Sequence, residues 1–245
     1  MRATRLVRAL LALAVLARPA WAGPPYVTDD PEPTDFRQFE IYVFAAGSDA
    51  RDGSEAATGI DFNYGAAPDL QLTAVLPLAY ENPLGASSVT GLGNIELAAK
   101  YRFLHQDQIG WDVAVFPRYI LPSASSQVGD QHSSIVLPIW VEKDWDSWST
   151  FGGGGCVIQH GSDLKNFCLA GWALTRNVLE RLQVGLELVY RSADTTGGKS
   201  STAIGAGLHY DISTNYHFLA SVGPTLRNAA QTTRYAWYAS LLLTF

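Results

Sequence analysis

Past its first two dozen residues the sequence has no apolar run approaching the ~18 residues that a helical membrane span requires. Spanning helices are therefore excluded. Basic residues are scarce as well: 17 Lys and Arg stand against 23 Asp and Glu, a formal net charge of −6. A chain of that balance lacks the electrostatic footprint of a nucleic-acid binder, so no nucleic-acid partner is expected. Cys156 and Cys168 are the only cysteines, and no His stands at ligand spacing from either, so no metal or other cofactor is expected. The glycine run 152–155 is not followed by Lys-Ser or Lys-Thr, which excludes a phosphate loop there. No nucleophile elbow occurs either.

What is present begins with a leader. Arg2, Arg5 and Arg8 flank the start of the apolar run 6–17, and Ala20-Trp21-Ala22 is a small-x-small cleavage pattern. Residues 1–22 thus read as a secretory signal peptide. Without its four arginines the formal charge falls from −6 to −10. Export to an oxidising compartment favours a single Cys156–Cys168 disulfide across a hairpin with a polar tip at 159–163; two unpaired thiols are the alternative. Residues 23–35 are acidic and carry four prolines, which argues against any regular ladder.

From Phe36 onward apolar and polar residues alternate with a period of two, the mark of strands whose faces meet different surroundings. Leu70, Leu72, Ala74, Leu76, Leu78 and Tyr80 make the clearest apolar face. Twelve such strands can be counted. Longer polar connections at 47–55, 81–92, 122–131 and 191–199 alternate with short turns such as 67–69, 144–147, 175–180 and 213–215. The run 152–155 reads as a bend in its strand. Strand lengths approach the ~9–11 residues of a tilted membrane strand, and Trp 7, Tyr 11 and Phe 10 suffice for aromatic girdles. The expectation is an all-β, 12-stranded antiparallel transmembrane β-barrel over 36–245, with short periplasmic turns and longer extracellular loops. A soluble sandwich would not need longer connections at one end.

The last strand, 234–245, alternates Tyr235, Trp237, Ala239, Leu241, Leu243 and Phe245 against a more polar face. It resembles the C-terminal strand of bacterial outer-membrane barrels, whose terminal aromatic is read by the barrel-assembly machinery. Phe245 is then the expected assembly signal and outer-membrane lipid the expected surroundings. Because charges on the lipid face are costly, the polar faces must line the lumen. The expected pore-lining residues are Glu40, Asp61, Glu96, Lys100, Arg102, Asp112, Arg118, Arg181, Glu187, His209, Asp211, His217 and Arg234. Both signs occur, so they read either as cross-strand ion pairs that hold the wall or as a polar pore. Twelve strands tilted by about 40° give a backbone diameter of roughly 24 Å, narrowed by side chains to about 10 Å or less. Residues 23–35 are expected to enter the mouth as a plug, their acids meeting lumen Arg and Lys.

Two stretches resemble a particular family. They are Tyr26-Val27-Thr28-Asp29-Asp30-Pro31-Glu32-Pro33, leading to Phe39-Glu40, and Gly93-Asn94-Ile95-Glu96-Leu97-Ala98-Ala99-Lys100-Tyr101-Arg102-Phe103. Both are similar to the outer-membrane proteins named for the MetA pathway of phenol degradation. The resemblance implies a transporter-like barrel that passes aromatic or other apolar compounds, and it brings no site residues to carry over. The expected function is passive uptake of small molecules, without enzymatic activity. The alternatives are a closed barrel with a structural or surface-interaction role, and a membrane-embedded hydrolase or acyltransferase built from His105, His132, His160, His209, His217 and Ser221.

Overall fold

Alternation becomes architecture when each strand turns its apolar residues one way. In the computed structural model, which describes residues 25–128, 132–161 and 163–245, twelve strands do so. The leader 1–22 lies outside the described residues, as do Gly23, Pro24 and part of the predicted loop 122–131. The strands are β1 (Phe39–Ala50), β2 (Gly53–Ala67), β3 (Leu70–Pro83), β4 in two pieces (Val89–Leu92 and Glu96–Leu104) and β5 in two pieces (Asp112–Val115 and Arg118–Ile120). There follow β6 (Ser134–Trp145), β7 (Trp148–Gln159), β8 (Phe167–Leu179), β9 (Leu182–Arg191), β10 (Ser201–Asp211), β11 (Tyr216–Arg227) and β12 (Thr233–Thr244). Neighbours in sequence pair antiparallel, and β12 closes onto β1 from Glu40↔Thr244 to Ala50↔Thr233. The sheet is a closed barrel with no free edge.

The two interruptions have a common cause. Pro77 on β3 has no N–H to give to β4, and the ladder breaks across from it at residues 93–95, where Gly93 N–H still reaches the Pro77 carbonyl at 2.9 Å. Pro117 breaks β5 in the same way. Two-residue turns join β2 to β3 and β6 to β7, with Asp69 (φ 61°) and Asp146 (φ 51°) in the left-handed region that such tight turns need.

The outward faces form an apolar wall: Leu72 is 47% exposed, Leu76 53% and Leu186 57%. A continuous exposed surface of that kind is matched to lipid, not water. Inside, Trp140, Phe151, Ala173 and Leu219 are buried.

Several expected loops are strand instead. The predicted loop 47–55 is the end of one hairpin, turned by Arg51 and Asp52 alone, because Ser48 Oγ donates to Glu55 across the strands at 2.9 Å. Likewise β3 runs to Pro83 and β8 to Leu179. Polar alternation extends these strands past the apolar belt. The glycine run pairs with β6 and β8 without a register shift, so no bulge interrupts the ladder there, and Gly153 takes a φ of 144° that a side chain would not allow. The Trp172 indole covers Gly152 outside and Trp140 lies beside Gly153 inside, so neighbours supply the bulk that the glycines lack.

Candidate functional site

Residues 25–35 precede β1 and run inside the barrel. Four prolines in residues 23–35 keep the segment out of the sheet, so its backbone groups need other partners. Side chains of the wall provide them. Gln71 Oε1 on β3 accepts from Thr34 N at 2.8 Å. Glu187 on β9 accepts from the Val27 and Thr28 backbone N–H groups at 3.1–3.2 Å and from the Thr28 hydroxyl at 3.1 Å. Ser221 on β11 donates to the Pro25 carbonyl at 2.6 Å. Thr28 and Asp30 are almost wholly buried.

Charge fixes the segment to the opposite side of the lumen. Lys100 Nζ on β4 lies 3.0 Å from Asp29 Oδ1 and 3.3 Å from Asp30 Oδ1, and donates to the Glu32 carbonyl at 3.2 Å. Arg118 on β5 reaches Asp29 Oδ2 at 2.8 Å and Glu96 at 3.6 Å, its guanidinium 4.3 Å from the Phe116 ring centroid. Arg102 is bound to Asp69 at 2.9 Å and lies 4.0 Å from Glu32. The two stretches that carry the family resemblance therefore meet in one ion-pair cluster. Burial pushes the Asp30 carboxyl upward against the pull of Lys100. Burial also raises Glu32 to about 7, opposed by Arg102.

Small residues make room on the far wall. At Gly171, on β8, any side chain would collide with Thr28, and at Gly207, on β10, a Cβ would come within 2.7 Å of the Tyr26 ring. Tyr26 packs at 5.9 Å from the Phe151 ring. Tyr26 and Val27 line two cavities, one on each side of them. One, of about 510 Å³, is bounded mainly by Ala, Gly and aromatic side chains, among them Ala46, Ala57, Ala203 and Tyr238. The other, of about 420 Å³, is polar and contains Asp29, Glu40, Asp61, Glu96, Lys100 and Arg118.

Of the residues expected in the lumen, Glu40, Asp61, Glu96, Lys100 and Arg118 border the polar cavity, and Glu187 borders the apolar one. Arg102 and Asp112 are 3.7 Å apart beside the β2–β3 turn residue Asp69. His209, Asp211 and His217 group at the turn end of β10 and β11. Two expected residues lie elsewhere. Arg181 is exposed in the turn between β8 and β9, and Arg234 pairs with Asp49 at 3.5 Å on the loop-end rim. Glu142 and Asp144 on β6 are on the inner face without having been singled out; their alternation with Val141 and Lys143 was the available signal.

Of the histidine candidates for hydrolysis, only His209 and His217 come together, and the others lie apart from them. His105 lies 3.4 Å from Asp69, His160 is in the β7–β8 connection, His132 is just before β6, and the Ser221 hydroxyl is given to Pro25. Cys156 and Cys168 are bonded and directly paired between β7 and β8. Phe245 is 56% exposed, and its backbone exchanges hydrogen bonds with Phe39 at 3.0 Å.

A family model described as "Putative MetA-pathway of phenol degradation" matches residues 28–241. No curated protein matches the sequence. Among solved structures, an outer membrane channel from Pseudomonas putida F1 shares the fold with a TM-score of 0.69 at 11% identity, over 92% of this chain and 100% of that one. The β domain of the Bordetella autotransporter BrkA gives 0.57 at 12% identity, over 85% and 98%. The shared fold, with its apolar outer wall, is that of the bacterial outer membrane.

Proposed function

The chain belongs to this MetA-pathway family, and on that premise we propose that it is an outer-membrane channel for passive uptake of small apolar or aromatic molecules, constricted by residues 25–35. The observation that carries the reading is the pair of cavities meeting at Tyr26 and Val27. Each is within the ~300–1,000 Å³ of small-molecule sites. A solute entering from the loop end meets an apolar vestibule first, where Ala46, Ala203 and Val189 accept its nonpolar surface. Below Tyr26 the polar cavity offers hydrogen-bonding groups and leads towards the turn end, on the periplasmic side in this reading. Shifting Tyr26 joins the two. The family's link to phenol degradation and the channel title of the Pseudomonas neighbour both favour this reading.

The test is single-channel conductance of the folded mature protein in planar bilayers, with and without residues 23–35, joined to liposome swelling with phenol and with a sugar of similar size. Larger steps after truncation, and faster swelling with phenol than with the sugar in the full-length protein, are expected. Silence from both proteins, each shown to be folded, would support instead a closed barrel with a structural or surface-interaction role.

A further inference from the structure

The turn end of β10 and β11 holds a group of side chains that the channel reading does not use. A period of two puts His209 and Asp211 on the inner face of β10, and His217 on β11 pairs directly with Asp211. Asp211 Oδ1 is the common point: His217 Nδ1 lies 2.7 Å from it and His209 Nε2 3.2 Å. One ligand atom from each residue falls within 4.8 Å of the others. The two imidazoles stand edge to face, centroids 5.3 Å apart. Their side chains are 9% and 5% exposed, whereas Asp211 is 42% exposed and open on its outer side.

A simple ion pair does not account for this arrangement. One histidine is enough to partner one exposed aspartate. The second, His209, is enclosed, and its Nε2 makes no well-aligned hydrogen bond, the Asp211 oxygen 3.2 Å away being its nearest charged neighbour. Leaving a buried polar nitrogen without an aligned partner is destabilising. A cation shared by the three groups would satisfy it. Two imidazole nitrogens and one carboxylate oxygen form the donor set of borderline divalent ions, with hard Mg²⁺ and Ca²⁺ disfavoured by the nitrogens.

We propose that His209 Nε2, Asp211 Oδ1 and His217 Nδ1 bind a borderline divalent cation, with Zn²⁺ as the reference ion, at the turn-end mouth of the lumen. For ligands at ~2.0–2.2 Å from zinc in tetrahedral array, donor atoms stand about 3.3–3.6 Å apart, so Asp211 and His217 separate by about 0.6–0.9 Å through a χ adjustment of the half-exposed Asp211, and the two imidazole nitrogens, now within 4.8 Å, close to the same spacing. His217 keeps its other nitrogen towards Thr244 Oγ1, 3.5 Å away on β12. That contact lies where an orienting group for a metal-bound histidine belongs. The remaining coordination position faces the lumen on the Asp211 side and takes water. The ion would pin the β10–β11 hairpin without passing through the cavities above.

Calorimetric titration of tag-free, folded protein in detergent with Zn²⁺ tests the site. One saturable site per chain is expected, weakened at least ~10–100-fold in His209→Gln and in Asp211→Asn, with His160→Gln, an exposed loop control, unchanged. Should the variants fail to fold, the parent protein titrated with Co²⁺ decides: visible absorption bands of imidazole-bound cobalt, competed away by Zn²⁺, support the site. No saturable Zn²⁺ binding by the folded parent, absence of those bands, or equal affinity in His209→Gln would each overturn it.

Discussion

Lys100 is 5% exposed and answers Asp29, Asp30 and the Glu32 carbonyl at once. Removing one partner from a buried ion pair costs about 3–5 kcal/mol, since the remaining charge stays desolvated. Here the acids have an escape, because they belong to a segment outside the strands that is held to the other walls by side-chain contacts alone. Lys100→Gln should therefore release the segment and spare the wall. Conductance in this variant should approach that of the truncated protein, with the barrel still resistant to unfolding in gel electrophoresis; unchanged conductance would contradict the role given to the cluster. Glu32 adds a pH effect. Its carboxyl is raised from 4.5 to about 7 in the docked state by burial, so the docked segment holds a proton that the released one gives up. The contribution of Glu32 to docking is then fully present below about 4.5 and is lost as pH rises through about 7. Bilayer recordings at pH 5 and pH 8 should show more frequent opening at the higher pH, and Glu32→Gln should flatten the difference.

At the scale of strands, the inner faces of β8 and β10 matter for what they omit. Gly171 and Gly207 leave the space that Thr28 and Tyr26 fill. Gly171→Val or Gly207→Val puts a side chain into that space while keeping good strand propensity. Each should raise proteolytic cleavage within 25–35 and increase conductance, whereas valine at Gly161, in a connection away from the segment, should do neither. These roles were not legible in the sequence, since a glycine within an alternating strand signals close approach without naming what approaches. The strands themselves were legible, because Leu70, Leu72, Ala74 and their counterparts repeat with an unambiguous period. Strand ends were not. Ser48 and Glu55 look like loop residues one at a time, and only their pairing across β1 and β2 makes them sheet. The glycine run 152–155 was opaque for the same reason, its missing bulk being supplied by Trp140 and Trp172 from other strands.

The whole lumen carries an imbalance of charge. Around the polar cavity Glu40, Asp61 and Glu96 belong to the wall, against Lys100 and Arg118, and part of that positive charge is now answered by Asp29 and Asp30. Glu142, Asp144 and Glu187 add to the acidic side of the inner surface. On the proposed channel reading, the barrel without residues 23–35 should therefore prefer cations weakly, its reversal potential in a KCl gradient displaced towards that of K⁺ and the displacement shrinking at high ionic strength. An anion preference would mean that the freed Lys100 and Arg118 dominate the pore. How charged residues of β1, β4 and β5 would meet the segment could be guessed from opposite signs alone. The grouping of His209, Asp211 and His217 could not, because it depends on the β10–β11 register.

The segment also touches walls that face each other. Its acidic part is tied to Lys100 on β4 and Arg118 on β5, and its start to Glu187 on β9 and Ser221 on β11, about half a turn of the barrel away. It thus spans the cylinder as a spoke spans a wheel. A cylinder of twelve strands without such a spoke can ovalise under the lateral pressure of lipid. Releasing the segment should therefore do more than widen the bore: the open channel should become noisier, and its noise should depend on the membrane in which it sits.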